Sequence, residues 1–231
     1  MYWNLEFFLT AFVIKVSNKK MYHLSKNLFF PPVSEANPDG ILAIGGDLSP
    51  ERLQLAYSSG IFPWFEEDQP IIWWSPNPRM VLFLEDLVVS KSMRNILNRN
   101  VFKVTFNQDF RAVIAHCQQV KRDGQTGTWI TNDMIEAYCK LHELGLAKSV
   151  EVWQDNQLVG GLYGVDLGHV FCGESMFSLV SNASKVAFIA LVNHLKINNY
   201  RLLDCQVYND HLASLGCVEI ERADFMQILK G

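Results

Sequence analysis

Residues 149–175 read SVEVWQDNQLVGGLYGVDLGHVFCGES, and this stretch decides the fold. It parses into three extended runs, Ser149–Trp153, Leu158–Val165 and His169–Ser175, separated by Asp155-Asn156 and by Asp166–Gly168. Asp, Asn and Gly suit the positive-φ positions of tight hairpin turns, so the spacing predicts an antiparallel three-stranded meander. Upstream, Phe102–Phe106 alternates apolar and polar residues, as a half-buried strand does. Phe110, Val113, Ile114, Cys117 and Val120 then recur at helical spacing, and a second helix is expected over about Asp133–Leu144, ended by Gly145. Downstream, a helix from about Ala183 to Lys196, capped by Asn182 or Ser181, precedes a strand at Tyr200–Val207 and a short helix around Asp210–Leu215. The order β-α-α-β-β-β-α-β-α is that of an α+β fold with a mixed sheet.

The half before this core is built differently. Residues 29–50, FFPPVSEANPDGILAIGGDLSP, are rich in proline and glycine and read as a loop-rich entry. Ser49-Pro50 then sets an N-cap and a proline in the first turn of a helix over Glu51–Ser59, ended by Gly60. A second proline-rich stretch, Ser75–Pro78, is read as the boundary between a small N-terminal α/β domain at 21–79 and a larger domain at 80–231. Residues 1–20 contain an apolar run, Phe7–Val16, that is too short to span a bilayer and is broken by Lys15. Its flanks lack a basic n-region and a small-residue cleavage site, so 1–20 is expected to be a non-native or flexible extension, with Met21 as the natural start.

With 49% hydrophobic and 19% charged residues among 231, the chain is globular rather than disordered. A net charge of −4 excludes a generally basic nucleic-acid coat but leaves room for a local patch. Leu87–Gln108 supplies one: it has no acid and carries Lys91, Arg94, Arg99 and Lys103, a candidate phosphate contact or a solvated face. The five cysteines are scattered singly, which predicts reduced, mostly buried thiols and no disulfide framework. Cys205, His211 and Cys217 match no metal motif; packed cysteines and a surface histidine are expected, and no metal.

Chemistry is expected where polar residues interrupt apolar strands. In Tyr200–Val207, period-two geometry places Leu202, Asp204 and Gln206 on one face. A carboxylate and an amide there must meet something polar, because burying them bare is costly. Glu174 interrupts a second apolar strand. If the strands are neighbours, the two carboxylates face one cleft, where they can bind a cation or shift each other's pKa for proton transfer. Trp64 and Trp129, beside Pro and Gly, are read as exposed aromatics able to stack on bases. Trp73 and Trp74 are read as core.

The element order resembles the acyltransferase fold shared by GCN5-type N-acetyltransferases. The runs FPPVSEANPDGILAIGGDLSPERLQLAYSSGIFPWF, IIWWSPNPR, GTWIT, FCGESMFS, NASKVAF and LLDCQVYNDHLASLG together resemble the bacterial leucyl/phenylalanyl-tRNA–protein transferase family. That resemblance implies transfer of Leu, Phe or Met from aminoacyl-tRNA to proteins beginning with Arg or Lys, in the N-degron route. The ester is already activated, so no cofactor is expected; a cytoplasmic monomer without a membrane partner is expected as well. The resemblance places the reacting centre at Asp204 and Gln206, acceptor recognition at Glu174, and the terminal adenosine near Trp64 and Trp129. The aminoacyl side chain would enter an apolar pocket lined by Leu162, Phe171, Met176, Phe188, Leu191 and Leu203. The family's basic helix corresponds here to KSMRNILNRN, with Asn95 and Asn98 where basic residues can occur. Two alternatives compete. A CoA-dependent N-acetyltransferase on the same fold would want a glycine-rich loop before the helix at Ala183, where the sequence reads FSLVSNASK. A non-catalytic tRNA- or degron-binding module would not need both Glu174 and Asp204.

Overall fold

The computed structural model describes residues 21–120 and 130–231. Two sheets organise them. The first has the order β1-β2-β4-β3, from β1 (Tyr22–Leu24), β2 (Ile41–Gly45), β3 (Phe62–Pro63) and β4 (Ile72–Trp74), with helix α1 (Pro50–Ser58) between β2 and β3. Ser49 caps α1 through its hydroxyl, which accepts the Arg52 amide.

The second sheet begins at β5 (Arg79–Phe83). Its other strands are β6 (Lys103–Phe106), β7 (Ala147–Gln154), β8 (Gln157–Asp166), β9 (Val170–Ser178), β10 (Leu202–Gln206) and β11 (Val218–Ile220). They lie in the order β11-β5-β10-β9-β8-β7-β6. The helices are α2 (Lys91–Asn98), α3 (Phe110–Gln119), α4 (Asn132–Glu143), α5 (Ala183–Ile197), α6 (Asp210–Ala213) and α7 (Arg222–Lys230). The meander β7-β8-β9 is antiparallel, and Asp155 and Asn156 turn its first hairpin at φ 50° and 62°. Strand β10 runs parallel to β9. Parallel neighbours need a crossover, and α5 supplies it.

One face of this sheet carries α5 and α2: Phe188 and Leu191 of α5 and Met93 of α2 pack with Leu162, Phe171, Met176 and Leu203. The other face carries α3 and α4 and merges with the apolar residues of the first sheet and α1 into one core. Helix α5 lies so close to β8 that a Cβ on Gly160 would sit 2.5 Å from that of Ala183.

Four expectations change. The buried residue of β6 is Thr105, while Phe106 is exposed; the Thr105 hydroxyl donates to Glu151 and accepts from the Trp153 indole, and Phe106 lies 4.8 Å from the His194 ring. The side chains of Asn182 and Ser181 do not cap α5; the Ser178 hydroxyl accepts the Ser184 amide instead. His211 is buried rather than at the surface, and burial, with Lys185 in its field, lowers its pKa to about 4. Strand β10 does not alternate regularly to its end: a bulge falls between Asp204 and Gln206. All five cysteines are free and buried, with the Cys205 and Cys217 sulfurs 3.6 Å apart.

Candidate active site

Asp204 is fully buried in β10, between β5 and β9. A bare carboxylate there would be expensive, and Arg79, the first residue of β5, answers it. The guanidinium donates from Nε to Oδ1 at 2.8 Å and from Nη2 to Oδ2 at 2.7 Å, a bidentate pair. Arg79 is itself buried between the rings of Phe62 and Phe225, at 4.9 and 4.7 Å from their centroids. Burial opposes its charge, but Asp204 more than offsets that and holds its pKa above the ordinary value.

Asp204 has a second task. Beyond the bulge, Gln206 adopts φ 66°, a left-handed conformation that costs a glutamine about 1–3 kcal/mol. The Gln206 amide donates to Asp204 Oδ1 at 2.9 Å, which ties that conformation to the carboxylate. The turned backbone sends the Gln206 side chain to β9, where Nε2 donates to Glu174 Oε1 at 2.7 Å.

Glu174 completes the site. It is buried on β9, two residues beyond Cys172, the register partner of Asp204. Tyr57 of α1 donates to Oε1 at 2.7 Å and Tyr138 of α4 lies 3.3 Å from Oε2. The two tyrosine hydroxyls also touch each other in a short contact. Three oxygen–oxygen contacts therefore close a ring, while the two phenols bring only two protons. An ionised Glu174 leaves one contact without a proton; a protonated Glu174 fills all three. Electrostatics agree. Burial raises the Glu174 pKa to about 8, against the lowering effect of hydrogen bonds from Tyr57, Gln206 and Tyr138, and with a further push from Asp204. Both tyrosines are shifted well upward, first by burial and then by Glu174.

The structure thus brings Glu174, Asp204 and Gln206 together. Arg79, Tyr57 and Tyr138 were not anticipated. Arg79 was visible as a lone cation opening an apolar run, RMVLFL. Each tyrosine sits among the buried residues of its helix, where a phenol needs a partner. Trp64 is buried rather than exposed, packed 5.2 Å from the Trp74 ring, and the Trp74 indole donates to its carbonyl. Trp129 lies outside the described residues. Phe65, the neighbour of Trp64, lines a cavity of about 610 Å³ together with Thr131.

Leu162, Phe171, Met176, Phe188, Leu191 and Leu203 share one core cluster, and Phe171 and Leu191 also line a cavity of about 230 Å³. Lys91, Arg94, Arg99 and Lys103 are all exposed and pair with no acid among the described residues. Lys91 stands in the first turn of α2, where a cation opposes the helix dipole. Stability does not account for it there. Among the described residues no group of three His, Cys, Asp or Glu is placed to hold a metal, and no helix is long and apolar enough to cross a membrane.

The family model for the leucyl/phenylalanyl-tRNA protein transferase matches residues 81–230, and the model for that protein's N-terminal domain matches 46–77. The leucyl/phenylalanyl-tRNA–protein transferase of Flavobacterium johnsoniae is 72% identical over 210 residues, covering 91% of this chain and 99% of that protein. Its counterpart in Flavobacterium psychrophilum is 68% identical over 210 residues, covering 91% and 100%. Among solved structures, a GCN5-related N-acetyltransferase from Kribbella flavida is similar at 10% identity and a TM-score of 0.34, covering 72% of this chain and 59% of that one. By the match of its second sheet and helices and by relatives aligned along nearly their whole length, the chain belongs to the leucyl/phenylalanyl-tRNA–protein transferase family.

Proposed function

We propose that this protein moves Leu, Phe or Met from aminoacyl-tRNA to the N-terminal α-amine of proteins beginning with Arg or Lys, as a cytoplasmic monomer in the N-degron route. The observation that carries the reading is the polar site at the β9–β10 junction, in a chain of this family: Gln206 and Glu174, two polar side chains held in one fixed geometry by Asp204 and Arg79. Aminolysis of an ester draws much of its rate from holding amine and carbonyl together. Asp204 is a positioning residue, its oxygens committed to Arg79 and to the Gln206 amide. Gln206 and Glu174 are the groups that meet the substrates.

The tRNA acceptor strand runs over Lys91, Arg94, Arg99 and Lys103, and Trp64 and Trp129 take the terminal adenosine. The aminoacyl side chain takes the apolar cluster around Met176, whose flexible thioether tolerates Leu, Phe and Met alike. Such a pocket discriminates weakly per methylene. The division at Ser75–Pro78, with units at 21–79 and 80–231, gives the first unit Tyr57, Trp64 and, as its last residue, Arg79, and the second Tyr138, Glu174, Asp204 and Gln206.

The test is transfer of labelled phenylalanine from charged tRNA to two proteins that differ only in an N-terminal Arg or Ser, with acetyl-CoA as a third donor arm. Transfer to the Arg protein alone is expected. Equal transfer to both overturns the acceptor assignment, and acetylation without aminoacyl transfer overturns the reaction.

A further inference from the structure

The proton that the acceptor must lose has two candidate destinations at the site, and their surroundings differ. Both oxygens of Asp204 are engaged by Arg79 at 2.7 and 2.8 Å, and Oδ1 also takes the Gln206 amide. To accept a proton Asp204 would have to break a buried ion pair and leave Arg79 uncompensated, the costly case for buried charges. Glu174 has no cation among its hydrogen-bond partners. Those partners are Tyr57, Tyr138 and Gln206, whose ring of contacts has a place for one more proton than the phenols provide.

From this geometry we infer that Glu174, not Asp204, is the proton acceptor for the incoming ammonium group in the transfer reaction. The inference rests on the proposed function and assigns one of its steps. An N-terminal amine arrives mainly as R–NH3⁺, which cannot attack. In the fraction of the protein whose Glu174 is ionised, one N–H proton passes to the Glu174 carboxylate, leaving R–NH2 and a neutral Glu174. The amine lone pair then forms the C–N bond at the ester carbonyl, the C–O bond to the tRNA ribose breaks, and a second N–H proton leaves with the ribose oxygen as a hydroxyl. Glu174 returns its proton to solvent before the next cycle. The sum is one ammonium and one ester converted to one amide, one ribose hydroxyl and one released proton.

The match between donor and acceptor supports the step. Burial raises Glu174 to about 8, into the range where an ordinary α-amine titrates, so its carboxylate is basic enough to take a proton from an ammonium. The groups in the field of Glu174 are Tyr57 from α1, Tyr138 from α4, Cys172 on β9 itself, Asp204 and Gln206 from β10, and Arg79 from β5. Of these Asp204 and Arg79 are charged, and they neutralise each other at 2.7 Å.

The experiment compares two acceptor peptides at pH 7 with phenylalanyl-tRNA as donor. Both carry the arginine side chain. One has the ordinary α-amine, and the other replaces it with an aminooxy group, which is already unprotonated and needs no base. Glu174→Gln is expected to slow transfer to the amine peptide by about 10²-fold or more and transfer to the aminooxy peptide less than about fivefold, both rates taken per folded molecule. Glu174→Asp keeps a displaced carboxyl group and is expected between wild type and Glu174→Gln with the amine peptide. Equal losses with both peptides mean that Glu174 only binds the acceptor or holds the site, and overturn the inference; so does a Glu174→Asp rate equal to that of Glu174→Gln. If wild type transfers to neither peptide, the proposed function itself fails and takes this step with it.

Discussion

Two glutamates are buried in the seven-stranded sheet, Glu151 on β7 and Glu174 on β9, and they are satisfied by different means. Glu151 takes the Ser149 hydroxyl at 2.5 Å, the Thr105 hydroxyl at 2.7 Å and the Gln108 amide at 3.3 Å. Those donors come from its own strand, from the neighbouring strand β6 and from the loop after it. Glu174 draws Tyr57 from 117 residues away, Tyr138 from 36 and Gln206 from 32. Short hydroxyls close around Glu151 and bind an edge strand to its neighbour. Long side chains reach Glu174 from the helices α1 and α4 and from another strand. Convergence of that kind is expensive in entropy.

The largest effect expected from probing this contrast is at the pair beside Glu174. Asp204→Asn leaves the Arg79 guanidinium buried without its counter-charge, at a cost of about 3–5 kcal/mol in urea denaturation, and it releases Gln206, so that transfer falls by orders of magnitude. Near-wild-type transfer by a folded Asp204→Asn protein would show that the polar cluster is merely structural, like that at Glu151.

Next comes the pH dependence of stability. Folded Glu174 holds its proton up to about pH 8, whereas an unfolded glutamate loses it near 4.5. The folded state therefore binds one more proton between those values, so its stability falls as pH rises through the window and levels off above it. Relative to Glu174→Gln, which does not titrate, wild type should lose a few kcal/mol between pH 4.5 and 8, since each tenfold difference in proton affinity is worth about 1.4 kcal/mol. Parallel melting curves for the two proteins across that range would refute the proton count in the tyrosine ring.

Glu151→Gln is a smaller perturbation. It leaves two hydroxyls to re-pair and should cost about 1–3 kcal/mol, with transfer per folded molecule unchanged. A tenfold loss of transfer would erase the distinction between the two glutamates. The smallest effect belongs to the surface. Lys91→Ala with Arg94→Ala should flatten the salt dependence of charged-tRNA binding by about 0.9 in log–log slope for each duplex phosphate no longer neutralised. An unaltered slope and affinity would return α2 to the status of a solvated face.

The contrast also explains what could be read from the chain before folding. The meander was legible because its strands are long and its turns carry Asp, Asn and Gly. The first sheet was not, because β3 and β4 have two and three residues and are buried throughout, so no alternation survives. Glu174, Asp204 and Gln206 stood out as polar residues in apolar strands. Tyr57 and Tyr138 did not, because a tyrosine on the apolar stripe of a helix is indistinguishable from core until its hydroxyl finds a partner. Thr105 misled for the complementary reason: a hydroxyl counts as solvent-facing in a pattern, yet turns inward when a buried carboxylate waits across the strand pair. Trp64 misled because neighbouring proline suggested a loop, while Trp74 supplied the packing.

The wide spacing of the parts around Glu174 bears on biosynthesis. A ribosome releases α1 and its tyrosine early, the second tyrosine midway, and the strand with Asp204 and Gln206 only when about nine-tenths of the chain has been made, the two ends of that span being Tyr57 and Gln206 of 231 residues. Domains fold as their sequence emerges, yet no nascent fragment short of β10 contains Asp204 to restrain Arg79 or Gln206 to meet Glu174. The contacts that fix Arg79 and Gln206 therefore close as a late event, once β10 has been made.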